Sequence, residues 1–297
     1  MTMLEELEET VREVARTAGP SVVGVGGGRA RGSGVVVGAG LVLTNAHNVW
    51  SEEIKVSFAG GRVESGRVVG ADVDGDLAVL AVDTGDAPPL AWAETVPDAG
   101  TVVLALADPG GRGLRTTVGL VSSASRPFRG PRGRRITGSL EHTAPLTKGS
   151  SGGPVVDRHG RLVGINTHRL AEGFYLALPA DDHLRTRVEA LGRGEAPVRP
   201  RLGVGLAPDG VARRLRRSVG LDERDGVLVQ VVEDDGPAAR AGVRSGDLIV
   251  EAAGRPTPTA DDLHDALDRS GGGSLPLRVV RGAEELEVTV ELGPTIP

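Results

Sequence analysis

The sequence predicts a mainly β protein in which a large unit of short strands precedes a smaller α+β unit. Short β-like runs follow one another with glycines between them, and the chain has 45 glycines and 19 prolines, which favours turns over long helices. Because no helical crossovers separate the runs, we expect antiparallel pairing in a sandwich or a pair of barrels. The predicted strands of this unit are 22–25, 34–37, 41–44, 54–58, 62–70, 77–82, 101–106, 115–122, 138–143, 154–156, 162–167 and 174–178.

The composition is ordinary for a globular protein and narrows the classes of function. Hydrophobic residues make up 39% and charged residues 25% of a chain of 297 residues, which is long enough for two or three domains. The net charge of −6 argues against a nucleic-acid-binding protein, because such proteins carry a basic surface. Without any cysteine, the chain has no disulfide, no thiolate metal site and no cysteine nucleophile.

The chain is expected to divide into four segments. Residues 1–18 form an amphipathic helix, residues 19–192 the large β unit, residues 193–200 a linker and residues 201–293 the smaller unit. The apolar stripe of the helix, which includes Leu4 and Leu7, packs either on its own domain or on a neighbouring subunit.

The N-terminus lacks the basic start and apolar run of a secretory signal. No apolar stretch is long enough for a transmembrane helix, so no membrane span is expected. As written, the sequence predicts a cytoplasmic protein; if a leader segment has been removed, it predicts a periplasmic or extracellular one.

A helix at 181–191 is expected to close the large unit, and the smaller unit is predicted to contain five strands, one longer helix and two shorter helical segments. Thr259 is the expected N-cap of its longest helix, 259–269, with acidic residues in the first turn. The other predicted elements are strands 202–206, 226–232, 248–252, 275–280 and 285–292 and helical segments 209–217 and 237–241. Five strands with a grooved helix are consistent with a peptide-binding module.

A glycine-rich stretch, KGSSGGP at 148–154, contains the first candidate catalytic residue, Ser151. Glycines on both sides let the backbone turn sharply and point N–H groups inward. Ser151 is a candidate nucleophile, and its N–H together with that of Gly149 would form an oxyanion hole. The stretch is equally typical of a surface turn.

A serine nucleophile requires a base and an orienting acid. His47 directly follows an apolar strand, which can hold its side chain rigidly, whereas the other five histidines lie in polar strands, turns or helix faces. Asp76 opens the apolar strand LAVLAV and can orient a histidine. Asp72 and Asp74 are interpreted as solvated turn residues, and the expected Gly and Glu of a calcium loop are missing here.

Three motifs carry a resemblance to a known family. TNAH at 44–47, GDLAVL at 75–80 and GSSGGP at 149–154 resemble the triad motifs of the HtrA (DegP-like) serine proteases, in the order His, Asp, Ser. The resemblance implies a chymotrypsin-like double β-barrel. It also implies peptide-bond hydrolysis with Ser151 as nucleophile, His47 as general base and Asp76 as its orienter. No metal or cofactor is implied.

Residues 201–293 resemble the PDZ domain of the same family, including GPAARAGVRSGDLIVEAAG at 236–254. The resemblance implies a carboxylate-binding loop for peptide C-termini and a groove lined by the helix. Alternatively, Gly203 is a strand bulge and the apolar helix residues are core. The residues expected to bind peptide are Arg201, Leu202, Gly203, Val204, Leu263 and Leu267.

Several features depart from the family pattern. Asn48 follows the histidine where an apolar residue is usual, and Lys148 precedes the oxyanion glycine. The segments 126–135 and 168–173 are expected to be loops, the first strongly basic. A homotrimer is implied by resemblance; without N-terminal aromatics it would depend on aliphatic residues such as Leu4, Leu7 and Val22.

The resemblance implies an HtrA-type endopeptidase that degrades unfolded or damaged proteins in protein quality control, with a PDZ domain that binds peptide C-termini or regulates activity. The competing class is a non-hydrolytic PDZ chaperone or adaptor on a protease scaffold. An α/β-hydrolase with His183 as base and Asp157 or Asp181 as acid is disfavoured, because that fold needs a parallel sheet with helical crossovers.

Overall fold

The computed structural model describes residues 2–27, 30–51, 53–129, 135–171, 173–195, 200–208 and 211–292. The chain separates into two compact units, Met1–Ala196 and Pro197–Pro297. Among the described residues, no helix combines the length and the apolar character that crossing a membrane requires.

The first half of unit 1 is a closed antiparallel barrel of strands in the order β1-β2-β3-β6-β5-β4. Its centre is packed mainly with aliphatic side chains, among them Val23, Val42 and Leu80, together with Phe58. The strands are β1 Val22–Gly27, β2 Ala30–Gly38, β3 Leu41–Thr44, β4 Glu53–Ser57, β5 Val63–Asp72 and β6 Leu77–Ala81.

The second half of unit 1 is another closed barrel, in the order β10-β11-β12-β9-β8-β7. The two barrels confirm the antiparallel double-barrel prediction, and each predicted strand is found. The strands are β7 Val102–Ala107, β8 Arg115–Arg129, β9 Arg135–His142, β10 Pro154–Val156, β11 Leu162–Ala171 and β12 Phe174–Pro179.

The prediction of loops at 126–135 and 168–173 was wrong in part. Residues 126–129 continue β8 and Arg135 begins β9, and 168–171 continue β11. Register shifts in both pairings let the strands remain hydrogen-bonded through these polar stretches. Residues 130–134 and 172 lie outside the described residues.

Two helices close unit 1. α1, Met3–Ala18, begins with a capping box between Thr2 and Glu5, and its C-terminal half buries Val14 and Ala18 in the barrel core. α2, Asp182–Gly192, is capped by Asp181 and buries Leu184, Val188 and Leu191. The C-terminal half of the first helix therefore packs on its own domain.

Unit 2 is an α+β unit with a six-stranded sheet. β13 lies at one edge and pairs only with β14 among the described strands, and Thr259 caps the last helix with a capping box, as predicted. Of the predicted segment 209–217, residues 209–210 lie outside the description. The elements are β13 Val204–Leu206, α3 Val211–Ser218, β14 Val227–Val232, α4 Pro237–Arg240, β15 Leu248–Ala252, β16 Arg255–Pro256, α5 Ala260–Arg269, β17 Ser274–Arg281 and β18 Glu284–Glu291.

A shared apolar core joins the two barrels of unit 1. Buried side chains from the first barrel, such as Leu43 and Leu77, belong to the same cluster as Leu104, Leu162 and Ile165 from the second. The ends of β3 and β11 and the turn before β10 are thereby brought to the junction between the barrels, where the candidate site lies.

Candidate active site

His47 lies in a single 3-10 turn, Ala46–Asn48, immediately after β3. Its ring is 30% exposed, whereas the carboxylate beside it is fully buried. Nδ1 of His47 lies 2.8 Å from Oδ1 and 2.9 Å from Oδ2 of Asp76. Because a carboxylate only accepts hydrogen bonds, Nδ1 carries the proton and Nε2 is left as a base.

Asp76 is held by more than the imidazole. Its Oδ1 accepts from the backbone N–H of His47 at 3.2 Å, and its Oδ2 accepts from Oγ1 of Thr167 at 2.6 Å. The residue has φ 54, a left-handed conformation in which Asp is tolerated better than most residues. Asn45 stabilises this conformation, because its Nδ2 donates to the Asp76 carbonyl at 2.9 Å.

Ser151 lies in a turn between Gly149, with φ 92, and Gly152, with φ 87. Its Oγ donates to the carbonyl oxygen of Thr167 at 2.9 Å. Thr167 therefore touches the serine through its carbonyl and Asp76 through its hydroxyl. Lys148, next to the turn, is exposed.

The N–H groups of Gly149 and Ser151 make no hydrogen bond to any other residue in the described part of the chain. A developing oxyanion is stabilised by hydrogen-bond donors. Two unpaired N–H groups, one on the serine and one two residues before it, can supply them. The carbonyls of the same two residues are paired with the first barrel: Oγ of Ser33 donates to Gly149 at 2.9 Å and the N–H of Ser33 donates to Ser151 at 2.9 Å.

A second layer of polar residues supports the serine turn from inside the second barrel. Asn166 donates from Nδ2 to the carbonyl of Gly153 at 3.0 Å and accepts from Nε2 of His142 at 3.0 Å. Burial lowers the pKa of His142 to about 4, although the hydrogen bond to Asn166 opposes the shift. His142 is fully buried, so it is a structural residue and cannot act on a substrate.

Sequence reasoning missed Thr167, Asn166 and Ser33, because single polar residues in strands resemble surface positions, and it set His142 aside as a base without giving it a structural role. For Asn166 and Thr167 a signal was their position at the end of an apolar run, where a buried polar side chain must find a partner. The interpretation of Asp72 as a solvated turn residue was wrong. Its carboxylate is buried, accepts from the N–H of Gly75 and pairs with Arg187.

The residues expected to bind peptide in unit 2 lie in two environments. Leu202, Leu263 and Leu267 are buried in the core of the unit, whereas Val204 is half-buried on the edge strand. Arg201 is exposed and lies 3.5 Å from Glu233. Gly203 has φ 74, which glycine adopts without strain.

Among the described residues, no three His, Asp or Glu side chains are grouped so that they could hold a metal ion. The site consists of one imidazole, one carboxylate, one hydroxyl and unpaired backbone donors. Such an arrangement can carry out acyl transfer through a serine nucleophile.

Each of the two units matches the model of a known protein family. Residues 32–165 match the model of a trypsin-like peptidase domain, and residues 228–281 match that of a PDZ domain.

Curated relatives match along most of the chain. The serine endoprotease DegS of Escherichia coli K12 is 33% identical over 278 residues, covering 89% of this chain and 77% of DegS. A protein of Halomonas elongata described as a probable periplasmic serine endoprotease, DegP-like, is 32% identical over 274 residues. The match covers 89% of this chain but only 56% of that relative, so the chain spans about half its length.

Solved structures agree with these relatives. The HtrA-type protease AlgW, solved with a decapeptide, superposes with a TM-score of 0.71 at 26% identity, covering 97% of this chain and 99% of AlgW. A serine endoprotease from Yersinia pestis gives 0.69 at 28% identity, covering 96% and 98%. With its two barrels and its PDZ unit, the chain belongs to the HtrA family of serine endoproteases.

Proposed function

We propose that this chain hydrolyses peptide bonds with Ser151 as nucleophile, His47 as general base and Asp76 as the orienting acid. The observation that carries the proposal is the pairing of a fully buried carboxylate with Nδ1 of a half-buried histidine. That pairing leaves Nε2 as the base on the open side of the ring. Family membership supports the same assignment.

The reaction follows from these groups. Nε2 of His47 takes the proton from Ser151 as Oγ attacks the substrate carbonyl, and the buried Asp76 stabilises the imidazolium that forms. The unpaired N–H groups of Gly149 and Ser151 would stabilise the oxyanion. His47 then returns the proton to the leaving amine, and water hydrolyses the acyl-enzyme by the reverse sequence.

Replacing Ser151 tests this proposal directly. Ser151→Ala should abolish cleavage of fluorescently labelled casein and labelling by a fluorophosphonate, because both need the nucleophilic oxygen. Ser51→Ala, at an exposed serine outside the site, is the matched control and should keep both. Cleavage that survives in Ser151→Ala, or a wild-type protein that never reacts with the fluorophosphonate, would refute the assignment and favour the adaptor alternative.

We further propose that the substrates are unfolded or damaged proteins and that the PDZ unit, within 201–293, binds their C-termini. The support is the free edge of β13 among the described strands and the positive φ of Gly203 at its start. A peptide could add a strand at this edge while backbone N–H groups bind its carboxylate. AlgW was solved with peptides, which fits this proposal.

Peptide binding can be tested by fluorescence polarisation. A labelled peptide with a free C-terminal carboxylate should bind, and the same peptide as a C-terminal amide should not. Gly203→Val should weaken binding, because a β-branched side chain cannot adopt φ 74 without strain. Equal binding of the acid and the amide would contradict the proposed carboxylate loop.

We also propose that the protease domain spans 19–192 and that the protein acts as a homo-oligomer in the periplasm or outside the cell. The description of the Halomonas elongata relative as periplasmic favours this location over the cytoplasmic one expected from the sequence. The exposed apolar end of α1, with Met3, Leu4 and Leu7, supports assembly.

A further inference from the structure

Asn48 makes a contact across the junction of the two barrels. It lies in the 3-10 turn that carries His47, and its side chain is only 7% exposed. Its Nδ2 donates to the carbonyl oxygen of Ser151 at 2.9 Å and to Oγ1 of Thr44 at 3.1 Å. Both hydrogens of the amide are therefore used in fixed directions.

The contact belongs to a small clamp formed by Asn48, Ser33 and Thr44. Oγ1 of Thr44 donates to the carbonyl of Ser33 at 2.7 Å, and Oγ of Ser33 accepts from the N–H of Asp108 at 3.1 Å. Ser33 donates to the carbonyls of both Gly149 and Ser151. Each hydroxyl of the clamp is thus oriented by a second partner.

The backbone packs closely around the clamp at two glycines. A Cβ on Gly32 would lie 2.4 Å from the side chain of Asn48, and one on Gly152 would lie 2.1 Å from the Ser33 carbonyl oxygen. Both positions must be glycine for the amide and the nucleophile turn to approach this closely.

The clamp determines which way the peptide groups of the turn face. The carbonyls of Gly149 and Ser151 are bound to the first barrel, and the N–H groups of the same residues are left unpaired among the described residues. Rotation of the turn would have to break the hydrogen bonds of Asn48 and Ser33. The side chain beside the base thereby fixes the backbone of the nucleophile.

We propose that Asn48 is a positioning residue, which acts through the Ser151 carbonyl to hold the nucleophile and its oxyanion donors in the geometry for attack. The proposal rests on the proposed function of Ser151. Asn48 stands directly after His47, where an apolar residue is usual, and the proposal gives its amide a role. Ser33 is the second positioning residue of the same clamp.

The test compares wild-type protein with Asn48→Val, which removes the amide at similar size. The N–H of Ser33 still satisfies the Ser151 carbonyl, and Oγ1 of Thr44 keeps its hydrogen bond to the Ser33 carbonyl, so neither oxygen is left without a hydrogen bond and the fold should persist. We expect the second-order rate of fluorophosphonate labelling and kcat for a peptide substrate to fall about tenfold, with KM nearly unchanged. The final extent of labelling should remain complete.

The extent of labelling separates positioning from a structural role. A fraction that is irreversibly unfolded or aggregated is never labelled and lowers the end point, whereas a mispositioned serine reacts fully but slowly. Ile54→Val, in the core of the first barrel, is the control for lost stability and should keep the wild-type rate. Ser33→Ala should also slow labelling, and the double variant should lose less than the product of the single effects, because both act on one segment.

The outcomes are distinct. A wild-type protein that is never labelled refutes the function of Ser151 itself. If wild-type reacts and Asn48→Val reacts equally fast, the positioning role is overturned. Loss of the folded state in both Asn48→Val and Ser33→Ala would also overturn it, because the clamp would then be required for folding and not for alignment.

Discussion

Asp76 restricts the imidazole of His47 through contacts with both the ring and the backbone of that residue. One oxygen binds the ring and the backbone N–H of His47, and the other binds the ring and Thr167. The carboxylate is fully buried, so water cannot replace these partners. The tautomer and the orientation of the His47 ring are therefore set by the protein itself, as the proposed role of His47 as a base requires.

Replacing Asp76 by Asn should leave the fold intact and lower kcat by about 10⁴. The amide matches the carboxylate in size but cannot compensate an imidazolium, and it allows the wrong tautomer. Hydrolysis of a chromogenic peptide at pH 7 measures the effect. Asp74→Asn, two residues earlier and partly exposed, should keep wild-type kcat; equal kcat in both variants would exclude the proposed role of Asp76.

His142 should make the protein sensitive to acid. Burial lowers its pKa from 6.5 to about 4, so the unfolded chain binds more protons between these values. The free energy of unfolding is therefore fully retained above pH 6.5 and falls as the pH drops further. At about pH 4 roughly 3 kcal/mol of it has been lost. A proton on Nδ1, which has no partner in the described structure, would be a buried unpaired charge.

Denaturant unfolding at a series of pH values tests this assignment. The free energy of unfolding of His142→Gln should change less between pH 6.5 and 4 than that of wild-type. His183→Gln removes an exposed histidine and should keep the wild-type dependence. An unchanged slope in His142→Gln would show that other groups cause the acid sensitivity.

At the scale of single residues, the sequence predicted the candidates that stand in recognisable motifs. His47, Asp76 and Ser151 stand in three ordered motifs, and the structure brings the first two together and places Thr167 between Asp76 and the serine. The partners Ser33, Thr44 and Asn48 could not be predicted, because their role depends on how two barrels meet. Spacing along the chain carries no information on that contact.

Among the elements, α2 shows how a helix is docked on a barrel. The backbone of Leu191 approaches β5 so closely that a Cβ on Gly70 would lie 2.4 Å from its carbonyl oxygen. Arg187 of the same helix pairs with the buried carboxylate of Asp72. Close approach and ion pair together fix the helix against β5 and the turn before β6.

Gly70→Ala should destabilise unit 1 by about 1–3 kcal/mol, because the added methyl group must displace the helix backbone. Gly38→Ala is the matched control in β2 of the same barrel: its Cβ would meet only side-chain atoms of Leu41 at 3.7 Å or more. Urea unfolding monitored by circular dichroism measures both. Equal stability of the two variants would mean that α2 adjusts to the methyl group without loss.

The sequence predicted the existence of nearly all elements but not every boundary. Glycine punctuation identified the twelve strands of unit 1, whose aliphatic runs are typical of barrels. It failed where pairing continues through polar residues, as in β8 and β11, because backbone hydrogen bonds to a neighbouring strand do not depend on side-chain hydrophobicity. The short strand β16 was missed for the same reason.

For the whole molecule, the surface of α1 bears on assembly. Val14 and Ala18 of its C-terminal half are buried in the barrel core, whereas Met3, Leu4 and Leu7 are 86%, 74% and 41% exposed. Val22, which was expected to contribute to a subunit contact, is 2% exposed and belongs to the core of its own domain. The sequence could not distinguish the buried from the exposed part of α1, because both lie on one apolar stripe of the helix.

We expect the protein to be a homotrimer in which the exposed end of α1 contacts a second copy. Two carboxylates at Leu4→Glu and Leu7→Glu should shift the mass to that of the monomer, because buried charges without partners are costly. Multi-angle light scattering after size exclusion measures the mass. The double substitution Glu6→Gln and Glu9→Gln changes exposed positions of the same helix and should leave the oligomer intact. A wild-type protein that is monomeric at all concentrations, or an oligomer that tolerates both glutamates, would place the subunit contact elsewhere or remove it.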